Sequence, residues 1–135
     1  MVYKTITYKD FNGIDRTETF WFNLNETELT MMEASPDGGS LSAYLDALSK
    51  SPKPNEVMDI FIKIITAAYG VKSPDGRRFM KKVDGHNLYE EFIDTPAFNQ
   101  MFMEFVREPE KMAAFINAVV DVKLDNATGP VMING

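Results

Sequence analysis

The chain has 135 residues, 44% of them apolar and 25% charged, which is the size and balance of one globular domain able to bury a core. Twenty acidic residues against fourteen Lys and Arg leave a net charge of -6, which argues against general binding to nucleic acid or to anionic lipid. The absence of cysteine excludes disulfides, thiolate metal sites and a cysteine nucleophile.

The opening MVYKTITYKD has no apolar run of signal-peptide length, and no stretch is apolar enough to span a bilayer, so a place in the cytoplasm is expected. Residues 2–9 and 14–24 are rich in Thr, Tyr, Phe, Val and Ile, as strands are. Asn12-Gly13 between them signals a hairpin, because both residues tolerate positive φ. A two-residue turn would set Val2 opposite Asn23. A bulged turn centred on Gly13 would set Val2 opposite Leu24 and Ile6 opposite Phe20, with Phe22 on the same face. The bulged turn gathers more apolar surface on one side and is the expected register. A lone hairpin is marginal in water, so this one should pack on helices or on another subunit.

Asn25 reads as a helix N-cap with Glu28 completing a capping box, and the helix should run to about Ala34. Ser35-Pro36-Asp37-Gly38-Gly39 breaks it. Ser40 should cap a second short helix with Leu41, Tyr44, Leu45 and Leu48 on one face, followed by a Pro-containing linker over residues 49–54. The clearest helix spans about 54–69, with Val57, Ile60, Phe61, Ile64, Ile65 and Ala68 in one stripe. Gly70 follows where a left-handed cap is expected. Ser73-Pro74-Asp75-Gly76 predicts a type I turn within a small hairpin. Three more helices should follow. The first covers 87–93 with Leu88, Phe92 and Ile93 inward. The second is capped by Thr95 and striped by Phe98, Met101, Phe102, Phe105 and Val106. The third opens at Glu108-Pro109 and is striped by Met112, Phe115, Ile116, Val119 and Val120. Periodicity then stops, and Gly129-Pro130 marks a tail.

The expected fold is therefore mainly α with a small N-terminal β-hairpin (α+β), a compact helical domain. Residues 1–121 form one domain, with the hairpin over 1–24 and the helical body over 25–121. Residues 122–135 form a flexible C-terminal tail.

Chemistry is sparse. His86 is the sole histidine, and Asp84 and Glu90 near it are not an ordered ligand set. The carboxylates from Glu90 to Glu110 spread around solvated helix faces at helical spacing. No phosphate-binding loop and no nucleophile elbow is present. Neither catalytic residues, nor a metal, nor a cofactor are expected, so the chain reads as a binding protein and not an enzyme. Lys72, Arg77, Arg78, Lys81 and Lys82 form the one basic cluster. It is either a contact for an acidic partner or phosphate, or a solvated hairpin balancing an acidic helical face. Nine methionines are unusual, and flexible thioethers suit surfaces that accept several partners as well as cores. Met101, Phe102, Met103 and Phe105 place apolar atoms on more than one side of a helix. Met101 and Met103 are the side chains expected outside, and with Arg77 and Arg78 they make the candidate partner-binding set.

The segment 56–118 resembles the tail assembly chaperone family of long-tailed siphophages. The residues that carry the resemblance begin with Ala68-Tyr69-Gly70-Val71-Lys72-Ser73, Asp75-Gly76-Arg77-Arg78-Phe79 and Lys81. They continue with Glu90-Glu91-Phe92, Thr95, Ala97-Phe98, Phe102-Met103-Glu104 and Ala113-Ala114-Phe115-Ile116-Asn117. Lys82-Val83-Asp84-Gly85-His86-Asn87 departs from that pattern as a longer link. The resemblance implies a chaperone that binds and solubilises the tape measure protein during phage tail assembly, with no catalytic residues. It also implies that a frameshifted longer form reaches the major tail protein. A homo-oligomer stays open. Two other classes stay open beside it: a structural virion component of the tail or neck, and a small regulatory protein that masks one host target.

Overall fold

The computed structural model describes residues 1–33, 54–120 and 131–133. Strands β1 (Val2–Lys9) and β2 (Asp15–Phe22) pair antiparallel, with Val2 opposite Phe22, Lys4 opposite Phe20 and Lys9 opposite Asp15. Neither register expected from Asn12-Gly13 is adopted, and the reason is Asp10. Its carboxylate accepts from the amides of Asn12 and Ile14, each at 2.9 Å, and from Arg16 Nε at 2.6 Å. Its amide donates to Ile14 O and its carbonyl accepts from Gly13 N, again at 2.9 Å. The result is a three-residue loop closed by Gly13 at φ 79°. The strands slide by two residues from the bulged register, which keeps the same face inward. Val2, Ile6, Phe20, Phe22 and Leu24 are accordingly all buried. The opposite face is polar near the tip, where Thr5 pairs with Thr19 and Thr7 with Thr17 through hydroxyls 3.0 Å apart.

The first helix, α1 (Glu26–Glu33), carries the expected capping box: Glu28 N donates to Asn25 Oδ1 at 2.8 Å, and Asn25 N donates to Glu28 Oε1 at 3.1 Å. The long helix α2 (Pro54–Ala68) buries Ile60, Phe61, Ile64, Ile65 and Ala68 along one stripe. It runs directly into β3 (Tyr69–Lys72), which pairs antiparallel with β2 and with β4 (Phe79–Met80). Gly70 is thus a strand residue and not a left-handed cap. It is needed because a Cβ there would stand 2.5 Å from the Met80 carbonyl oxygen and 2.7 Å from the Phe79 ring.

A separate hairpin of β5 (Lys82–Val83) and β6 (His86–Asn87) turns at Asp84-Gly85 and leads into α3 (Leu88–Ile93). Helix α4 (Pro96–Arg107) is capped by Thr95, whose hydroxyl accepts from Phe98 N, and α5 (Pro109–Val119) follows. Phe92 is buried as expected, whereas Ile93, expected inward, lies 41% exposed at the end of the short α3. Last comes β7 (Val131–Met132), parallel to the start of β1.

These strands correct the expected fold class. The sheet order is β4-β3-β2-β1-β7, so the N-terminal hairpin is the centre of a sheet and not a small appendage. The fold is mixed α+β and not mainly α. One buried cluster, from Val2 to Val119, joins the inner sheet face to α2, α3, α4 and α5. Its contacts are largely aromatic: Phe22 to Phe115 at 5.2 Å between ring centroids, Phe105 to Phe115 at 5.3 Å, Phe61 to Phe105 at 5.6 Å, and Tyr69 stacked on Phe92 at 4.4 Å. The expected helix after Ser40, the linker before Pro54 and most of the expected tail fall outside the described residues. Within the tail, residues 131–133 are held as a strand edge, with Ile133 N donating to Tyr3 O at 2.7 Å.

Replacing Gly70 by Ala should cost about 1–3 kcal/mol, because backbone and not a flexible side chain blocks the new methyl. Urea unfolding measures this, and a neutral Gly70→Ala would mean that β3 and β4 do not approach this closely.

Candidate partner-binding site

The hairpin between β3 and β4 is built by Ser73, which is 5% exposed. Its amide donates to Arg78 O at 2.8 Å, its carbonyl accepts from Gly76 N at 2.9 Å, and its hydroxyl donates to Asp75 Oδ1 at 2.6 Å while accepting from Arg78 N at 3.0 Å. Arg77 N also donates to Asp75 Oδ1, at 3.0 Å. The Ser73 hydroxyl first, and then the Arg77 amide, hold the Asp75 carboxyl below the usual carboxylate range. Gly76 closes the turn at φ 74°, as the Ser-Pro-Asp-Gly pattern predicts.

The turn leaves the Arg77 and Arg78 side chains exposed. They line a shallow pocket of about 210 Å³ with Lys72, Gly76 and Phe79 from the hairpin, and with Met1 and Asn23. The Asn23 Oδ1 is buried without a hydrogen-bond donor. Lys72 Nζ sits 4.4 Å from the Trp21 ring centroid, on the outer face of the sheet. The basic cluster read from the sequence therefore divides. Lys72, Arg77 and Arg78 share the pocket. Lys81 turns away to form an ion pair with Glu28 of α1, and burial lowers its amine despite that carboxylate. Lys82 is exposed on β5.

The two methionines proposed for an outer face part company. Met101 is 0% exposed, in line with Ala97 and Phe105 at four-residue intervals facing the core, so its expected outward placement is corrected. Met103 lies two residues on, about 200° around the helix, and is 37% exposed. Phe98, Phe102 and Val106 form a flanking row that is only partly buried against the core.

Two features escaped the sequence reading. Lys4 occupies an inward position of β1, 7% exposed, with its Nζ 3.5 Å from Glu104 Oε2 and 5.6 Å from the Phe105 ring centroid. Strand alternation carried the signal, but a lysine reads as solvent-facing by default. At the β1–β2 tip, Phe11 is 85% exposed and Ile14 55%, on a loop pinned by Asp10. His86 is exposed on β6, and among the described residues no group of three or more His, Asp or Glu could hold a metal ion.

The family model described as phage tail assembly chaperone matches residues 1–129 of the chain. The protein belongs to that family. The match takes in the N-terminal hairpin, well beyond the segment from residue 56 that carries the resemblance. No curated protein and no solved structure matches. Among the described residues of this tail assembly chaperone, no helix is long and apolar enough to cross a membrane.

Two outcomes follow for the chaperone's own stability. Met101→Glu should cost about 4 kcal/mol or more by burying an unpaired charge, whereas Met103→Glu should stay within about 0.5 kcal/mol of the original. Equal effects in thermal melts would contradict the placement of the two side chains. Burial, with Glu91 and then Glu18 adding to it, raises the Tyr69 phenol to about 12. A raised folded value means its contribution is fully present below the ordinary tyrosine range and is lost as pH rises towards about 12. Stability should fall more steeply across that alkaline window in the original chain than in Tyr69→Phe. Parallel pH profiles from urea unfolding would show that Tyr69 is not buried.

Proposed function

We propose that this tail assembly chaperone binds the tape measure protein in the host cytoplasm and keeps that long helical chain soluble until tail subunits enclose it. Family membership supports the chaperone role. The observation that points to an apolar partner is a set of large apolar side chains left in solvent. Phe11 stands at the sheet tip, Met31 on α1, Ile62 on α2 and Met103 on α4. None serves the core, and exposed side chains of this kind suit contact with the apolar stripe of a partner helix. Met31 and Met103 are unbranched thioethers, able to follow a stripe whose exact sequence changes along a long partner. The net charge of -6 keeps chaperone and cargo dispersed. Met31, Met103, Arg77 and Arg78 are the residues proposed to touch the partner, and the proposal contains no catalytic step.

Co-expression with a tape measure fragment tests this reading. The original chain should raise the soluble yield of the fragment well above an empty control. Met31→Glu combined with Met103→Glu should leave the melting temperature almost unchanged, because both side chains are exposed. The same pair should return the soluble fragment to near the control, since two charges would meet an apolar stripe without counter-ions. If the original chain solubilises no more than the control, the tape measure is not its client.

A further inference from the structure

The two outer edges of the N-terminal hairpin are used unequally. Asp10 N donates to Ile14 O at the head of the ladder, so the even-numbered residues of β1 and β2 bond each other and the odd-numbered ones turn their backbone groups outward. On the β1 side those groups are taken: Tyr3 O accepts from Ile133 N at 2.7 Å, and Thr7 O from Gln100 Nε2 at 2.8 Å. On the β2 side Asn23 N donates to Ala68 O at 2.9 Å, and β3 pairs with Trp21 and Phe22 only. The outward N–H and C=O groups of Asp15, Thr17 and Thr19 bond nothing among the described residues, on a stretch exposed from Asp15 to Thr19. We propose that a second copy of this chain pairs with that edge, antiparallel to it and centred on Thr17, so that two sheets join across a twofold axis. Such pairing uses the β2 edge alone and is independent of the client proposed above.

Three observations commit the edge to this occupant. The first is parity. About an axis at Thr17, Thr17 meets its own counterpart and Asp15 meets Thr19 of the second copy. All of these face outward, so each pair exchanges both backbone hydrogen bonds. Only registers that set odd-numbered residues against odd-numbered residues do so, and such registers lie two residues apart.

The second is charge. Centred on Thr17, Arg16 stands opposite Glu18 of the second copy, and Glu18 opposite its Arg16. These are non-hydrogen-bonded positions, where facing side chains come closest. A register shifted by two residues sets Arg16 against Arg16 in one direction and Glu18 against Glu18 in the other, and like charges directly opposite are destabilising. Both side chains have capacity left. Arg16 gives Nε to Asp10 and keeps its terminal nitrogens, while Glu18 takes the Tyr8 hydroxyl on Oε1 and keeps Oε2. Charges on a free edge usually keep an added strand away. Here their signs alternate about Thr17, so a strand that fits is the same strand turned end for end.

The third is Ile14, which is 55% exposed at the head of β2. One step past Asp15 the same register sets Ile14 beside Phe20 of the second copy, on the core-facing side that even-numbered residues share. An apolar side chain left in solvent by the single chain is then laid at the margin of its neighbour's core. An interface of this length is small, so the association belongs to the weak, concentration-dependent class.

Sedimentation equilibrium of the full chain, with amide exchange followed by nuclear magnetic resonance, tests the proposal. The chain should pass from monomer to dimer between about 1 µM and about 1 mM. In the dimer, exchange should slow at the amides of Asp15, Thr17 and Thr19 and stay as it was at Arg16 and Glu18, which are already bonded to β1. Arg16→Glu and Glu18→Arg should each be monomeric alone, because like charges then face each other across the axis. Mixed in equal amounts, the two variants should dimerise, since an acid in one chain then faces a base in the other at both positions. Thr17→Pro leaves the Asp10 loop and the even-numbered ladder untouched and removes the central donor from an edge where proline is tolerated. It should keep the circular dichroism spectrum of the original chain and remain a monomer. A monomer at about 1 mM, a dimer that survives Thr17→Pro, slowed amides elsewhere than on β2, or charge variants that stay apart when mixed would each overturn the proposal.

Discussion

Phe22 is pressed from three directions. Its ring lies 5.2 Å from Phe115 of α5, 5.9 Å from Phe92 of α3 and 5.8 Å from Tyr69 at the start of β3, measured between centroids. It also stands opposite Val2, and both are fully buried. The strand that carries Phe22 therefore fixes where the helices meet the sheet and where β3 enters it. Asn23, the next residue, donates its amide to Ala68 O at 2.9 Å, which ties the end of β2 to the end of α2. The position of the Ser73 turn, and so of the two arginines, descends from that junction through four residues of β3. A cavity in place of the Phe22 ring would loosen all of these at once, because close-packed interiors pass displacement on.

The parts of this fold legible in the sequence are those with either a period or a cap. Helix α2 showed its stripe, Asn25 with Glu28 showed a capping box, and Thr95-Pro96 showed a helix start, because each signal is local and repeats over a turn or more. The β3–β4 hairpin showed only through its Ser73–Gly76 turn, and the other short strands gave no such signal. Two residues at β4 and two at β7 cannot display alternation, and Gly70 followed a helix just where a cap is common. Its role lies in the approach of Met80 and Phe79, which are near in space and not next in the chain. The hairpin register failed for a related reason. Asn-Gly is a strong turn pair, but the carboxylate of Asp10 collects two amides and an arginine and so selects a longer loop.

The candidate site divides along the same line. That Arg77 and Arg78 flank a turn was readable, because Ser-Pro-Asp-Gly determines it. That they share a pocket with Asn23 was not, since Asn23 arrives from just beyond the end of β2. Met101 and Met103 were indistinguishable by composition, and the core row through Ala97 and Phe105 decides between them. The surface that emerges has two chemistries held apart. Apolar side chains are scattered over the sheet tip and the helices, while Lys72, Arg77 and Arg78 gather on one hairpin. Such a division lets broad contact and directional recognition vary independently.

The pairing of β7 with β1 links Val2 to Val131, almost the whole chain apart. During synthesis, β1 leaves the ribosome early and can zip to β2 as soon as the loop at Asp10 has formed. Its other edge must wait near Val2 and Tyr3 until residues 131–133 emerge, because no nearer described segment bonds there. A sheet edge open for that long is a template for pairing with other nascent chains. The strand that closes it is only two residues long. Its weight lies in timing: a piece made long after β1 is the piece that closes the edge at Val2 and Tyr3.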